Sequence, residues 1–221
     1  MKRGLAAALA ERRKAGALRR RPILDSPPGR EIVIDGRRLL SFASNDYLGL
    51  ASDTRVADAF RAGIERWGSG SGAAHLISGH SRAHHELEAA LAEFTGREAA
   101  LLFSTGYMAN LGVLQALCQR GDLILQDRLN HASLIDGALL SGARLQRYAH
   151  ADCSDLERRL AAAGERPLLI ASDGVFSMDG DIAPVARLAA RAREYDAWLM
   201  IDDAHGLGVR CPEGRGSTAG L

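Results

Sequence analysis

From residue 99 onward, short apolar runs alternate with longer segments whose apolar residues recur at helical spacing. The short runs predict strands and the spaced segments predict helices. Strands separated by helices indicate an α/β fold with right-handed crossovers and a largely parallel sheet. The predicted strands are residues 99–103, 123–125, 144–148, 167–171 and 198–201, and the predicted helices are residues 106–118, 131–141, 154–163 and 184–195.

The beginning of the chain carries different patterns. Residues 2–20 are rich in Ala, Leu and Arg and predict an exposed amphipathic helix. Further on, two apolar runs flank the pair Asp35-Gly36, which suits a tight type I′ turn. Residues 32–34 and 39–42 are therefore expected to form a β-hairpin.

Two more helices are predicted before the alternating region, over residues 55–67 and 81–94. A glycine-rich turn at residues 68–72 separates them, and it lacks the glycine spacing of a dinucleotide or phosphate loop. We assign residues 1–50 to an N-terminal segment and residues 51–221 to a large domain.

Composition excludes several classes of function. The 221 residues carry a formal net charge of +1, so the chain has no general attraction to nucleic acid or to an acidic membrane. No stretch approaches the roughly 20 apolar residues that span a bilayer. The 3 cysteines are far apart and predict free thiols in a reducing compartment. We therefore expect a cytoplasmic protein without nucleic-acid or membrane partners.

Polar residues follow two of the predicted strands directly. Residues 104–107 (Ser-Thr-Gly-Tyr) open a helix, whose free backbone N–H groups favour a phosphate. Asp202 and His205 follow the last strand, and ligands of open α/β sheets bind at the carboxyl ends of strands. A buried carboxylate needs a partner, so Asp202 either pairs with a cation such as a protonated pyridine nitrogen or caps the next turn. By position alone, His131 is a helix-terminal residue.

A metal site is not expected from the pattern. The loop of residues 173–181 contains several aspartates, but it lacks the ligand order of a calcium loop. His80, His84 and His85 include a pair at i and i+4, yet no third ligand is evident, and zinc is rejected.

Five motifs occur in a characteristic order along the chain. They are SNDYLGL at 44–50, DRLNHAS at 127–133, GVFSMDG at 174–180, DDAHG at 202–206 and GRGS at 214–217. Together they resemble the α-oxoamine synthases, and the resemblance extends from about Leu5 to the last residue. It implies the fold of the fold type I pyridoxal-phosphate (PLP) dependent transferases, with three α/β/α layers in an incomplete large domain.

The resemblance assigns roles to particular residues. The implied cofactor-binding residues are Gly106 and Tyr107 at the phosphate, His131 on the ring face, Ser177 and His205 at the phenolic oxygen and Asp202 at the pyridine nitrogen. The implied substrate-binding residues are Arg19, Asn45 and His131. Residues 68–72 would lie near the interface of a homodimer whose subunits share their active sites.

The resemblance also implies a reaction, the PLP-dependent decarboxylative condensation of an amino acid with an acyl thioester. The greatest similarity is to members that join L-alanine to pimeloyl-CoA or a pimeloyl carrier protein in biotin biosynthesis. A glycine-using member and a non-catalytic remnant are the alternatives.

One lysine in this family forms the imine with the cofactor and transfers the proton. The only lysines here are Lys2 and Lys14, on the predicted N-terminal helix. We therefore expect the catalytic lysine to lie beyond Leu221 and the 221-residue chain alone to be inactive.

Overall fold

The computed structural model describes residues 4–164, 166 and 168–221, which form two compact units. The first ends at Gly63, and the second runs from Ile64 to Leu221. The domain boundary predicted after residue 50 stays a prediction, since a compact unit is not by itself a domain.

The helices are α1 (Leu5–Lys14), α2 (Thr54–Trp67), α3 (Arg82–Thr95), α4 (Gly106–Leu117), α5 (Ala132–Ser141), α6 (Cys153–Ala161) and α7 (Val185–Glu194). The strands are β1 (Glu31–Ile34), β2 (Arg37–Leu40), β3 (Leu123–Asp127), β4 (Arg144–Tyr148), β5 (Leu168–Asp173) and β6 (Trp198–Asp202). A π-helical turn covers His75–Gly79 and 3₁₀ turns cover Leu50–Ser52 and Pro212–Gly214.

In the first unit, β1 and β2 pair antiparallel, which confirms the predicted hairpin. Asp35 and Gly36 both have positive φ, 51° and 70°. Positive φ at both central residues is what a type I′ turn requires, and the Asp-Gly pair tolerates it.

The helix predicted over residues 2–20 is shorter in the structure. Helix α1 ends at Lys14, and Gly16 follows in the left-handed region with φ of 63°. Its residues are exposed, as predicted. The amphipathic prediction is wrong, because the apolar residues fill the beginning of α1 and the basic ones its end, along the axis rather than on opposite faces. Residues 2 and 3 lie outside the described residues.

The second unit is built on a parallel sheet with strand order β4-β3-β5-β6. Successive side chains of a strand point to opposite faces. Leu123, Leu125 and Ile170 accordingly pack with α6 and α7, whereas Ile124 and Leu169 pack with α4 and α5. The predicted three-layer arrangement is confirmed.

The strand predicted over residues 99–103 is wrong. In the described part of the chain these residues pair with no strand. The backbone N–H of Leu102 instead donates a hydrogen bond to Glu88 Oε1 at 3.0 Å. An apolar run becomes a strand only when another strand pairs with it, and the composition of the run does not supply that partner.

The other predicted elements of the alternating region are confirmed, with ends that shift by about two residues. Pro167 of the predicted fourth strand lies outside the described residues. Cys118, Cys153 and Cys211 are free, as predicted. Within the described ranges, no helix combines the length and apolar character that crossing a bilayer demands.

Candidate cofactor site

Three strands of the parallel sheet end in an aspartate. Strand β3 ends at Asp127, β5 at Asp173 and β6 at Asp202. Asp173 and Asp202 are register partners in neighbouring strands. Paired residues of adjacent strands project to the same face of a sheet, so these two carboxylates lie on one side of its carboxyl edge.

A cavity of about 130 Å³ opens at this edge. Its lining contains every residue for which the family resemblance implied a cofactor contact, namely Gly106, Tyr107, His131, Ser177, Asp202 and His205. The other lining residues are Ser133, Asp173 and Ala204. The structure therefore gathers side chains from α4, α5 and the ends of β5 and β6 around one space.

The N-terminus of α4 forms one side of the cavity. Thr105 caps the helix, because its Oγ1 accepts a hydrogen bond from the backbone N–H of Met108 at 3.1 Å. The first N–H groups of a helix have no partner within the helix, and Gly106 and Tyr107 both line the cavity at this point. A hydrogen bond to Asp136 raises the pKa of the Tyr107 phenol.

A chain of hydrogen bonds positions His131 and Asp202. His131 Nδ1 accepts from the backbone N–H of Ser133 at 3.3 Å and lies 2.6 Å from Ser133 Oγ. Asn110 Nδ2 donates to Ser133 Oγ at 2.8 Å and to Asp202 Oδ2 at 2.6 Å. The backbone N–H of Ala204 donates to Asp202 Oδ1 at 3.1 Å. The imidazole and the carboxylate are thereby linked through one buried amide.

Asn110 and Ser133 were not predicted as site residues from the sequence. Both are buried polar residues on helices, 7% and 0% exposed. Ser133 falls within the DRLNHAS motif, and Asn110 is a buried amide in a mostly apolar helix whose other amide, Gln115, is exposed. A buried amide in an apolar helix needs hydrogen-bonding partners, and that requirement is the signal that identifies Asn110.

Asp173 is a buried acid of the cavity. It is 4% exposed, and its Oδ1 accepts a hydrogen bond from the backbone N–H of His131 at 3.2 Å. Burial raises the pKa of Asp173 to about 6; the hydrogen bond from His131 opposes this rise and the nearby charge of Asp202 adds to it. A pair of close carboxylates of this kind favours a cation.

Asp127, the third aspartate, belongs to a different contact. Its Oδ1 lies 2.9 Å from His150 Nδ1, and its Oδ2 accepts from the backbone N–H of Ala151 at 2.7 Å. His150 Nε2 lies 2.6 Å from Asp181 Oδ2. Burial lowers the pKa of His150, but the hydrogen bonds and charges of both aspartates outweigh it and raise this pKa above 6.5. The imidazole thus ties the end of β3 to the loop after β5.

Glycines from three motifs lie directly against the carboxylate of Asp203. A Cβ at Gly206 would lie 2.1 Å from Asp203 Oδ1. At Gly174 and Gly216 a Cβ would lie 2.4 and 2.2 Å from its carboxylate oxygens. The backbone N–H of Ser217 donates to Asp203 Oδ2 at 2.7 Å. The GVFSMDG, DDAHG and GRGS motifs therefore meet around one carboxylate and leave no room for side chains there.

The remaining predicted site residues, Arg19 and Asn45, lie in the first unit. Both are exposed and outside regular secondary structure. Next to Asn45, Asp46 Oδ1 accepts from the backbone N–H of Leu50 at 2.8 Å and shapes the SNDYLGL motif into a turn. The substrate-binding role of Arg19 and Asn45 stays a prediction.

Residues 37–217 match the family described as aminotransferase class I and II. The chain belongs to that family. It is 61% identical, over 96% of its length, to the 8-amino-7-oxononanoate synthase of Methylococcus capsulatus and, to the same extent, to that of Pseudomonas putida. These matches cover 55% and 54% of the two relatives, so the chain spans about half the length of the curated relatives it matches.

Solved structures show the same likeness. A serine palmitoyltransferase from S. paucimobilis with a bound PLP–myriocin aldimine superposes with a TM-score of 0.90 at 33% identity, covering 98% of this chain and 57% of that one. An 8-amino-7-oxononanoate synthase from Francisella tularensis superposes with a TM-score of 0.67 at 32% identity, covering 80% and 49%. The predicted fold of a PLP-dependent transferase is confirmed.

Proposed function

We propose that the chain provides the cofactor cavity of an 8-amino-7-oxononanoate synthase and that this cavity holds PLP. The observation that carries the proposal is the cavity at the carboxyl edge of the sheet, between the N-terminus of α4 and the paired aspartates of β5 and β6. Ligand sites of open α/β sheets lie in this position.

The donor set of the cavity fits the cofactor. Asp173 and Asp202 provide negative charge, which a protonated ring nitrogen would balance. The N-terminus of α4 at Gly106 provides amides and a positive dipole end for a phosphate. His131 provides a flat ring, and His205 provides a polar group for the phenolic oxygen.

Bound PLP supplies an electron sink for a carbanion next to an amino group. Asp202 would hold the proton on the ring nitrogen, and Asn110 and the backbone N–H of Ala204 fix the two oxygens of its carboxylate. His131 would orient the ring face, and its contacts with Ser133 fix the imidazole. The chain's own groups would thus bind and orient the cofactor.

We propose the decarboxylative condensation of L-alanine with pimeloyl-CoA or a pimeloyl carrier protein as the reaction, a step of biotin biosynthesis. The names of relatives at 61% identity support it over the glycine-using alternative. Arg19, Asn45 and His131 are the proposed substrate-binding residues. The homodimer with shared active sites and the cytoplasmic location stay predictions.

The sequence carries lysine only at positions 2 and 14, so residues 64–221 contain none. We therefore expect the 221-residue chain to bind PLP reversibly and to form no product from alanine and pimeloyl-CoA. Titration with PLP, followed by absorbance and calorimetry, tests the cavity. Asp202→Asn is expected to weaken binding by about tenfold or more, because it removes the charge that faces the ring nitrogen.

Asp196→Asn is the matched control. Asp196 is exposed and lies near the amino end of β6, opposite Asp202, with φ of 48°, which Asn also adopts. PLP binding by this variant should equal that of the parent chain. Absence of PLP binding by the parent, or equal binding by Asp202→Asn and Asp196→Asn, would sink the proposal.

A further inference from the structure

Four histidines and a glutamate gather where the π-helical turn leads into α3. His75 lies in that turn, His80 follows it, and His84 and His85 belong to the first turn of α3, with Glu88 one turn further on. The ring centroids of neighbouring pairs lie 4.6 to 5.7 Å apart, and those of His80 and His85 lie 6.2 Å apart. None of these residues lines the cofactor cavity.

Three of these residues have the spacing of a metal-ligand set. His80, His85 and Glu88 each offer one ligand atom, and the three atoms lie within 4.8 Å of one another. His80 Nε2 is 3.8 Å from Glu88 Oε2. Ligands about 2.0–2.2 Å from one tetrahedral zinc ion lie about 3.3–3.5 Å from each other. Small side-chain movements therefore bring the three ligand atoms to the separations that zinc binding requires. His85 and Glu88 are three residues apart and share a face of α3.

Two contacts orient these ligands. Glu88 Oε1 accepts the hydrogen bond from the backbone N–H of Leu102, so Oε2 is the oxygen that faces His80. His80 Nδ1 lies 3.3 Å from His75 Nδ1. When His80 donates its Nδ1 proton to His75, its Nε2 keeps the lone pair that a metal needs. A metal-binding histidine typically donates its other N–H to a neighbour in this way.

His84 has a different role in the cluster. Its Nδ1 accepts from the backbone N–H of Ser81 at 3.1 Å and lies 2.9 Å from Ser81 Oγ. This contact gives the backbone N–H of Ser81, at the start of α3, a hydrogen-bond acceptor, and it engages the Nδ1 lone pair of His84. The sequence alone showed no third ligand beside His80, His84 and His85, and the structure places the Glu88 carboxylate next to His80 and His85.

We propose that His80, His85 and Glu88 bind one Zn²⁺ ion, with water as the fourth ligand. Two imidazoles and a carboxylate are ligands that zinc prefers, whereas magnesium and calcium take oxygen ligands. Both histidines are exposed and Glu88 is half-buried, so solvent reaches the site. Three protein ligands leave one position open on the ion.

The test uses the untagged 221-residue chain in a Cys211→Ser background, because Cys211 is an exposed free thiol and thiolates are zinc ligands. Calorimetric titration with ZnCl₂ is expected to give one equivalent bound. Titration with CoCl₂ is expected to give the visible absorption of a tetrahedral cobalt site. This spectrum reports the ligands directly and does not depend on enzyme activity.

Glu88→Gln is the central variant, because it keeps an oxygen for Leu102 and removes only the charge. We expect it to weaken zinc binding by about tenfold or more, and we expect the same of His80→Asn and His85→Ala. Glu86→Gln, an exposed position on the same helix, is the matched control and should bind as the parent does. Three ligand variants keep the result decisive if one of them unfolds by circular dichroism.

No zinc binding by the parent chain, or equal binding by Glu88→Gln and Glu86→Gln, overturns the proposal. A cobalt complex without tetrahedral absorption also counts against it. Loss of binding in the ligand variants, with retained helical signal and an unaffected control, supports it.

Discussion

Replacing Asp173 with asparagine tests the electrostatics of the cofactor cavity. Burial raises the pKa of this carboxyl from 3.8 to about 6. A rise of this size means that folding disfavours the ionised Asp173 carboxylate by about 3 kcal/mol. Asparagine has the same shape and keeps an oxygen for the backbone N–H of His131, but it carries no charge. We therefore expect Asp173→Asn to increase the free energy of unfolding at alkaline pH by about 3 kcal/mol.

The effect has a defined pH dependence. The folded pKa of Asp173 is above the unfolded one, so the folded chain binds the proton more tightly. The stability that this proton contributes is complete below about pH 4 and is lost as the pH rises through about 6. The stabilising effect of Asp173→Asn should therefore be about 1.5 kcal/mol at pH 5 and about 3 kcal/mol at pH 8.

Urea unfolding of both proteins at pH 5 and pH 8, followed by circular dichroism, measures this difference. Asp196→Asn serves as the control, because Asp196 is exposed, and its effect should stay within about 0.5 kcal/mol at both pH values. An effect of Asp173→Asn that is equal at the two pH values, or that is destabilising at pH 8, would refute the reasoning.

Two further variants test contacts outside the cavity lining, the His150 bridge and the close approach of Gly206 to Asp203. His150→Gln should lower the free energy of unfolding by about 2 kcal/mol at pH 6 and by less at pH 9. The stability that comes from a raised histidine pKa is complete below about pH 6.5 and is lost as the pH rises through the folded pKa. An equal loss at both pH values, measured by urea unfolding, speaks against the bridge from Asp127 through His150 to Asp181. Gly206→Ala should lower the free energy of unfolding by about 2–3 kcal/mol, because the new methyl group lies 2.1 Å from Asp203 Oδ1. Gly63 lies in helix α2, and nothing lies within 4 Å of a carbon added there. Gly63→Ala should therefore raise the free energy of unfolding by about 0.5–1 kcal/mol. Similar thermal unfolding shifts for Gly206→Ala and Gly63→Ala would contradict the packing argument.

The two central strands of the sheet, β3 and β5, could be predicted because they are buried on both faces. Such strands read as continuous apolar runs, which stand out against the amphipathic helices between them. The predicted ends of β3, β5 and β6 were one or two residues too early, since each strand continues to a polar end at its terminal aspartate. Residues 99–103 have the same apolar composition, but pairing is a non-local property that one segment does not encode.

The candidate site was predicted in two different ways. The rule that ligands bind at the carboxyl ends of strands identified Asp202 and His205 from position alone, and the family resemblance supplied His131 and Ser177. Neither route identified Asp173 as a member of the carboxylate pair, because register between β5 and β6 is set by the fold. Hydrogen-bond partners that lie far apart along the chain likewise require the structure.

The three strand-end aspartates show why position alone does not define a site. Asp127 faces the His150 imidazole, a titratable group of the protein that also contacts Asp181. Asp202 takes its hydrogen bonds from Asn110 and a backbone N–H, which are neutral donors, and Asp173 takes one from a backbone N–H. Neutral donors fix a carboxylate without cancelling its charge. A cationic ring would balance the negative charge of this pair, and the difference in partners separates the structural aspartate from the two that line the cavity.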